Sequence, residues 1–520
     1  MPGPVAVRTA ALDGPGVRRL TRRSAAQRAV TTWGARLGEA WSTVTTVGVG
    51  LAVLGGWLAS VREAITGRAP GSGAALPSSV TALTAAVVAV AGLTTLLDRL
   101  GPISSSPAAA AWWLPLPADR RGLLRSDLDR LTGICAGTTA LLCTPLVMAW
   151  SAAPSLAGVA TTVLGAASGA AVLVGALALL QTWGRNGVLA PVTGAVAVAV
   201  ALVAATASVA PEAADALAHL TRLPTLTWPL ALGLTALAAV LLVAADRGLG
   251  RLRAGSLRAH GAASAFASAS VFSLDTRDLG RALTVGPRRS HRRRRGSLAL
   301  VRRPWQALAT ADLLLLARSR WQCGQIVVAT AVPVLAARTD GLDRLPAATA
   351  VGLVLGWLTA AVAAGHPARF AQATPALDRL LPLSSGQVVA ARAATPALVL
   401  APVCGLTGLL VGLGSADPVA WAALTLGAAP AWTAAALRGA YRPDLDWSGP
   451  VVSTPMGVLP AGIGATLVQG VDVGLAGTVP ILVVVLVGAA PSPAVIGVQF
   501  LWAGCLAGGA LLHLARRKPG

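Results

Sequence analysis

The chain has 520 residues, of which 55% are apolar and only 12% charged, with a mean hydropathy of +0.68 and a formal net charge of +22. A soluble protein of this length carries about 25% charged residues, so this composition lacks the polar surface that soluble domains require and is suited to a lipid bilayer. The basic balance is not that of a nucleic-acid binder, because no soluble module with base-reading side chains accompanies it.

The first 40 residues are Arg-rich and read as an uncleaved cytoplasmic segment. The apolar material then comes in blocks of about 20 residues, the length that crosses about 30 Å of hydrocarbon at 1.5 Å per residue. In the first half, 41–245, six spans are expected near 41–61, 80–97, 131–150, 156–183, 188–209 and 228–245. A strongly basic linker, 246–320, precedes a second half, 321–514. Its six spans are expected near 326–337, 347–364, 395–413, 419–437, 473–490 and 494–514, and a short tail, 515–520, closes the chain. Trp41, Trp150, Trp183 and Trp228 stand at block ends, where interfacial anchors belong. Small residues between Gly165 and Gly175 suit close helix approach. The expectation is therefore an all-α, polytopic integral membrane protein of about 12 transmembrane helices in two repeated six-helix halves, with the lipid bilayer as its first partner.

Twelve crossings put both termini on one side. The segments 1–40, 98–130, 184–187, 246–320, 365–394, 438–472 and 515–520 hold nearly all the Arg and Lys, whereas 151–155, 414–418 and 491–493 hold none. Basic flanks stay cytoplasmic, which predicts a multi-pass protein of the plasma membrane with both termini inside. The net charge is then mostly a topology signal. The single lysine (Lys518), single asparagine (Asn186) and single tyrosine (Tyr441), beside abundant Ala, Gly and Arg, suggest a GC-rich genome such as that of an actinobacterium.

The halves also share a motif. After the second span stand Leu114, Pro115, Leu116, Asp119, Arg120, Arg121 and Leu124; after the eighth stand Leu381, Pro382, Leu383, Ser384, Gln387 and Arg392. Each copy is Leu-Pro-Leu, a polar turn and a helix leading to the next span. Leu124, Leu128 and Leu131 share one helical face, leaving Asp119, Arg120, Arg125 and Asp127 to the polar side. Ser384 and Gln387 have capping-box spacing, which predicts a helix start there. Each copy is read as a short interfacial helix on the cytoplasmic side.

A span pair followed by such an elbow resembles the permease subunits of type-2 ABC exporters (the ABC-2 type), here as two fused six-span halves. The resemblance implies that the elbows dock a separate ATPase subunit, that the two halves form the path, and that an amphipathic helix opens each half, loosely matched by 18–40 and 304–320. The loop 438–459, with Asp444, Asp446 and Trp447, has no counterpart in that pattern. It leaves a second reading, a non-transporting membrane scaffold or assembly factor.

The residues argue against chemistry by the chain itself. A phosphate-binding loop needs a Gly-rich turn ending in Lys-Ser/Thr, and Lys518 is followed by proline. The histidines His219, His260, His291, His366 and His513 are isolated, and no pattern points to a catalytic residue, a cofactor or a metal. Asp444 and Asp446 are poorly aligned for paired acid–base work, and Asp275, Asp278 and Asp312 stand among arginines as ordinary ion-pair partners. The spans hold few polar groups beyond Gln181, Gln469 and Gln499, which disfavours an ion-coupled carrier. Arg292, Arg293, Arg294 and Arg295 are candidate contacts for anionic lipids, against the alternative of a solvated linker. The cysteines Cys135, Cys143, Cys323, Cys404 and Cys505 lack ligand spacing and read as small hydrophobes.

Overall fold

A computed structural model describes residues 13–28, 33–66, 76–150, 155–220, 227–272, 301–372, 381–442, 451–454, 457–460 and 468–516. The helices of the first half are α1 (Gly14–Arg28), α2 (Trp33–Thr66), α3 (Ser78–Leu100), α4 (Pro107–Trp112), α5 (Arg120–Trp150), α6 (Leu156–Thr182), α7 (Leu189–Ala207), α8 (Pro211–Leu220) and α9 (Trp228–Gly248). After α10 (Ala254–Phe272) the second half contains α11 (Pro304–Arg318), α12 (Arg320–Arg338), α13 (Pro346–Ala364), α14 (His366–Gln372), α15 (Ser385–Gly412), α16 (Pro418–Leu426) and α17 (Ala429–Ala440). A hairpin of β1 (Val451–Thr454) and β2 (Gly457–Pro460) precedes α18 (Val471–Val487) and α19 (Pro493–Arg516).

Every expected span is helical over most of its length, and nine stretches among the described residues are long and apolar enough to cross a membrane. The chain is an all-α protein of the polytopic membrane type, with one small hairpin in the loop that follows α17. Three local expectations need correction. The third and ninth spans do not follow separate interfacial helices, because α5 and α15 run unbroken from the elbows. The seventh is not a short 12-residue piece; α12 begins at Arg320, with only Ser319 between it and α11. The tenth is broken at Gly427 and Ala428, where Pro430 near the start of α17 cannot donate to the preceding turn.

Local chemistry sets the helix starts. Ser106 and Ser155 accept the backbone N–H groups of Ala109 and Gly158 at 3.2 and 3.0 Å, and Asp417 accepts that of Ala420 at 2.9 Å. Pro107 and Pro418 occupy first-turn positions, where a missing N–H costs no helical bond.

The chain forms two compact units. The first comprises Met1–Glu63, Gly92–Pro191 and Pro224–Arg288; the second comprises Ala64–Ala91, Val192–Leu223 and Arg289–Gly520. Unit boundaries fall within α2, α3 and α7. In the first unit α6 packs along both α5 and α9. A Cβ on Gly175 would stand 3.0 Å from that of Leu241, so the small residues of α6 do allow close approach. Leu97, Ile103, Leu114, Leu124, Leu128, Leu177 and Leu257 form its core beside the elbow. Gln181, buried in α6, accepts the Ile103 N–H at 3.0 Å and donates to the Ile103 carbonyl at 2.8 Å, clamping the turn after α3.

The second unit is centred on Trp357 of α13 and Trp432 of α17, both fully buried. Their indole N–H groups donate to the hydroxyls of Thr407 and Thr478, each at 3.0 Å. Gln499 of α19 donates to the Gly477 carbonyl at 2.8 Å. A buried N–H has no water to turn to among apolar helices, so each bond fixes one helix against another. A satellite cluster in this unit joins Leu76 and Val80 to Ala201 and Ala204 of α7 and to Ala331 and Leu335 of α12. There the Arg338 guanidinium donates to the Ser208 carbonyl at 3.0 and 3.2 Å.

Candidate functional site

The two elbows are built alike. In the first unit Asp119 caps α5, its carboxylate accepting the N–H groups of Arg121 and Gly122 at 3.1 and 3.0 Å. Arg120 donates to the Leu252 carbonyl at 3.2 Å, and Arg121 donates through Nε to Asp246 at 3.1 Å. That hydrogen bond, with the charge of Asp246, raises the Arg121 pKa. Leu114 and Leu124 are buried, whereas Pro115 and Leu116 are exposed. Helix α1 lies on this elbow. Gly14 and Gly122 leave room for the Asp119 carbonyl and the Pro15 ring, where a Cβ on either would clash. Arg18 of α1 forms an ion pair with Asp127 and sits 5.0 Å above the Trp113 ring.

In the second unit Ser384 accepts the Gln387 N–H at 3.3 Å while the Gln387 side chain accepts the Ser384 N–H at 3.0 Å. This is the capping box the spacing predicts. Leu381 and Leu383 are half-buried and Pro382 is exposed. Arg392 turns inward and pairs with Asp312 of α11, their side chains only 8% and 5% exposed. Asp312 thus reaches a partner 80 residues away in the sequence. Leu308 and Leu316 flank it on the same buried stripe of α11.

Asp127 is the eighth residue of α5, counting Arg120 as the first, and Arg392 is the eighth of α15, counting Ser385. Each pairs with the helix that opens its own half, and the charges are exchanged between the two copies. The family model matches residues 72–450, nearly three-quarters of the chain and both elbows. The chain belongs to a family of unknown function, DUF6297. The stretch that defines DUF6297 here also contains Asp312 and Arg392, while Arg18 lies before it. No curated protein matches the chain. No solved structure matches it either.

Of the residues expected to dock a partner, Pro115, Leu116, Asp119, Arg121, Pro382, Ser384 and Gln387 are exposed. Asp119, Arg120, Arg121 and Arg392 are used within their own units, which sequence alone did not reveal, whereas Ser384 and Gln387 are used in the capping box that their spacing predicts. His366 and Arg369 of α14 and Arg442, just after α17, are buried or half-buried. Burial, with Arg442 near, lowers the Arg369 pKa to about 10. Arg292, Arg293, Arg294 and Arg295 lie outside the described residues, as do Asp275, Asp278, His291, Asp444, Asp446, Trp447 and Lys518. Among the described residues no group of three or more His, Cys, Asp or Glu side chains could hold a metal ion.

Proposed function

We propose that the chain is the transmembrane permease component of an ABC-type exporter, working with a separate ATPase subunit. One observation carries the reading. Twice in the chain, an opening helix is ion-paired to the eighth residue of a long helix that starts at a Leu-Pro-Leu elbow with an exposed proline. A partner that pushes on Pro115 and Leu116, or on Pro382, acts directly on α5 or α15. Each long helix runs continuously from its elbow into the membrane, with Pro145 in α5 and Pro396 and Pro402 in α15 as internal kink sites. The opening helix is tied to the same turn and moves with it.

In this reading the chain crosses the plasma membrane twelve times with both termini cytoplasmic. Helices α5, α12 and α18 supply the crossings beyond the nine most apolar stretches. The basic flanks of the odd-numbered boundaries support that orientation. A pull-down of the tagged, detergent-solubilised protein from its host, followed by mass spectrometry, tests the assignment. A stoichiometric ATPase supports it. Recovery alone, or with membrane partners lacking ATPase motifs, leaves the scaffold reading.

A further inference from the structure

Helix α1 is strongly basic and contains no acidic residue. Arg18 is turned inward, onto Asp127 and the Trp113 ring. Arg19, Arg22 and Arg23 are all exposed. At 3.6 residues per turn they fall within about 100° of one another around the helix axis, on one face. The depth of that face follows from the helices α1 touches. Asp127 lies four residues, about 6 Å along the axis, before Leu131, where the charges of α5 end and its apolar run begins. Asp246, the first charge after the apolar run of α9, pairs with Arg121 at the same elbow. Two helices thus put the elbow just outside the hydrocarbon, where the headgroup layer is about 5–8 Å thick. Trp113 and the 76% exposed Trp112 stand at that level, as aromatic residues of a membrane interface do.

We infer that α1 binds the headgroup phosphates of anionic phospholipids through Arg19, Arg22 and Arg23. Charge selects an anionic occupant for this face, and its depth selects a lipid. Guanidinium groups suit phosphate because their planar N–H donors match two of its oxygens at once. Leu20 is the one large apolar side chain that α1 exposes among the described residues, so the attachment is electrostatic and not by insertion. Connectivity keeps the face near the leaflet: α2, which contains the apolar stretch Ala40–Ser60, starts five residues after α1 ends. Lipid then holds α1 from one side while Arg18 holds it to α5 from the other, which clamps the start of α5 to the leaflet surface. The inference rests on α5 and α9 crossing the bilayer and is independent of any ATPase.

The test uses the full-length protein in vesicles of phosphatidylcholine alone and of phosphatidylcholine with phosphatidylglycerol. Hydrogen exchange of the α1 amides, read by peptide mass spectrometry, reports the binding. Phosphatidylglycerol should slow that exchange about tenfold, and raised salt should reverse the effect. Arg19→Gln/Arg22→Gln/Arg23→Gln should abolish the slowing, and comparing the two lipids within each variant separates lipid binding from any change in how α1 packs. Arg19→Lys/Arg22→Lys/Arg23→Lys keeps the charge and should keep most of the slowing. Exchange on α8, which has no arginine, should not depend on the lipid. The inference is overturned by no effect of phosphatidylglycerol on the parent, by slowing that survives in the glutamine variant or vanishes in the lysine variant, or by the same slowing on α8. Equal slowing by inorganic phosphate added to the phosphatidylcholine vesicles would overturn it as well.

Discussion

Arg392 of α15 forms a buried ion pair with Asp312 of α11, at the helical position that Asp127 occupies in α5 opposite Arg18. The inner pair lies in an apolar stripe between Leu308 and Leu316, whereas Asp127 is 36% exposed. The same connection is thus made in two dielectric settings, and the settings separate the expected energetics.

Removing one partner of a buried pair leaves an uncompensated charge and costs about 3–5 kcal/mol. Asp312→Leu or Arg392→Met should therefore lower the thermal midpoint of the purified protein strongly. The double variant Asp312→Leu/Arg392→Met should recover most of the loss, because neither charge then remains buried alone. Asp127→Asn in the first unit should cost about 1 kcal/mol or less, and less again at high salt. Thermal unfolding of the detergent-solubilised variants at two ionic strengths measures all four.

The two tryptophan–threonine bonds of the second unit should behave as independent clamps. Thr407→Val leaves the Trp357 N–H buried without an acceptor, and Thr478→Val does the same to Trp432, each costing about 1–3 kcal/mol. The Trp432→Phe/Thr478→Val double variant should cost less than the sum of its singles, since the orphaned donor is gone. A double-mutant cycle in thermal stability detects the coupling.

His260 on α10 supplies a pH dependence. Its burial disfavours the charged ring, and Asp98 and Ser256 offset this only in part, so its pKa lies below the ordinary value of 6.5. A group depressed in this way binds protons more readily in the unfolded chain. Its contribution is complete above pH 6.5 and is lost as pH falls below that value through the folded-state pKa. The His260→Gln variant, which cannot take up that proton, should lose less stability between pH 7 and pH 5 than the parent. Equal losses in both would place the acid sensitivity elsewhere.

How much of this was legible in the sequence depends on range. The capping box at Ser384 and Gln387 involves residues three apart, and its spacing alone predicts it. The apolar face of Leu124 and Leu128 is likewise local, and both side chains are buried as the helical period implies. The roles of Arg121 and Arg392 were not legible, because their partners are 125 and 80 residues away. Position within a polar turn made Asp119, Arg120 and Arg121 look available to a partner, yet a cap, a carbonyl and a carboxylate occupy them. The unbroken run from elbow to span was hidden too. Charged residues between 119 and 130 lower the local hydropathy without breaking the helix, since Arg and Leu favour it.

A permease of the proposed kind would receive its ATPase at the exposed elbow positions. The direct measurement compares ATPase recovery on the tagged parent protein with that on a Leu116→Asp/Pro382→Asp variant, both checked for equal membrane insertion and size-exclusion profile. Elbow docking predicts a stoichiometric ATPase on the parent and about a tenfold loss on the variant, the change expected for about 1.4 kcal/mol of binding energy. Equal recovery on both proteins, or no ATPase on either, would contradict it.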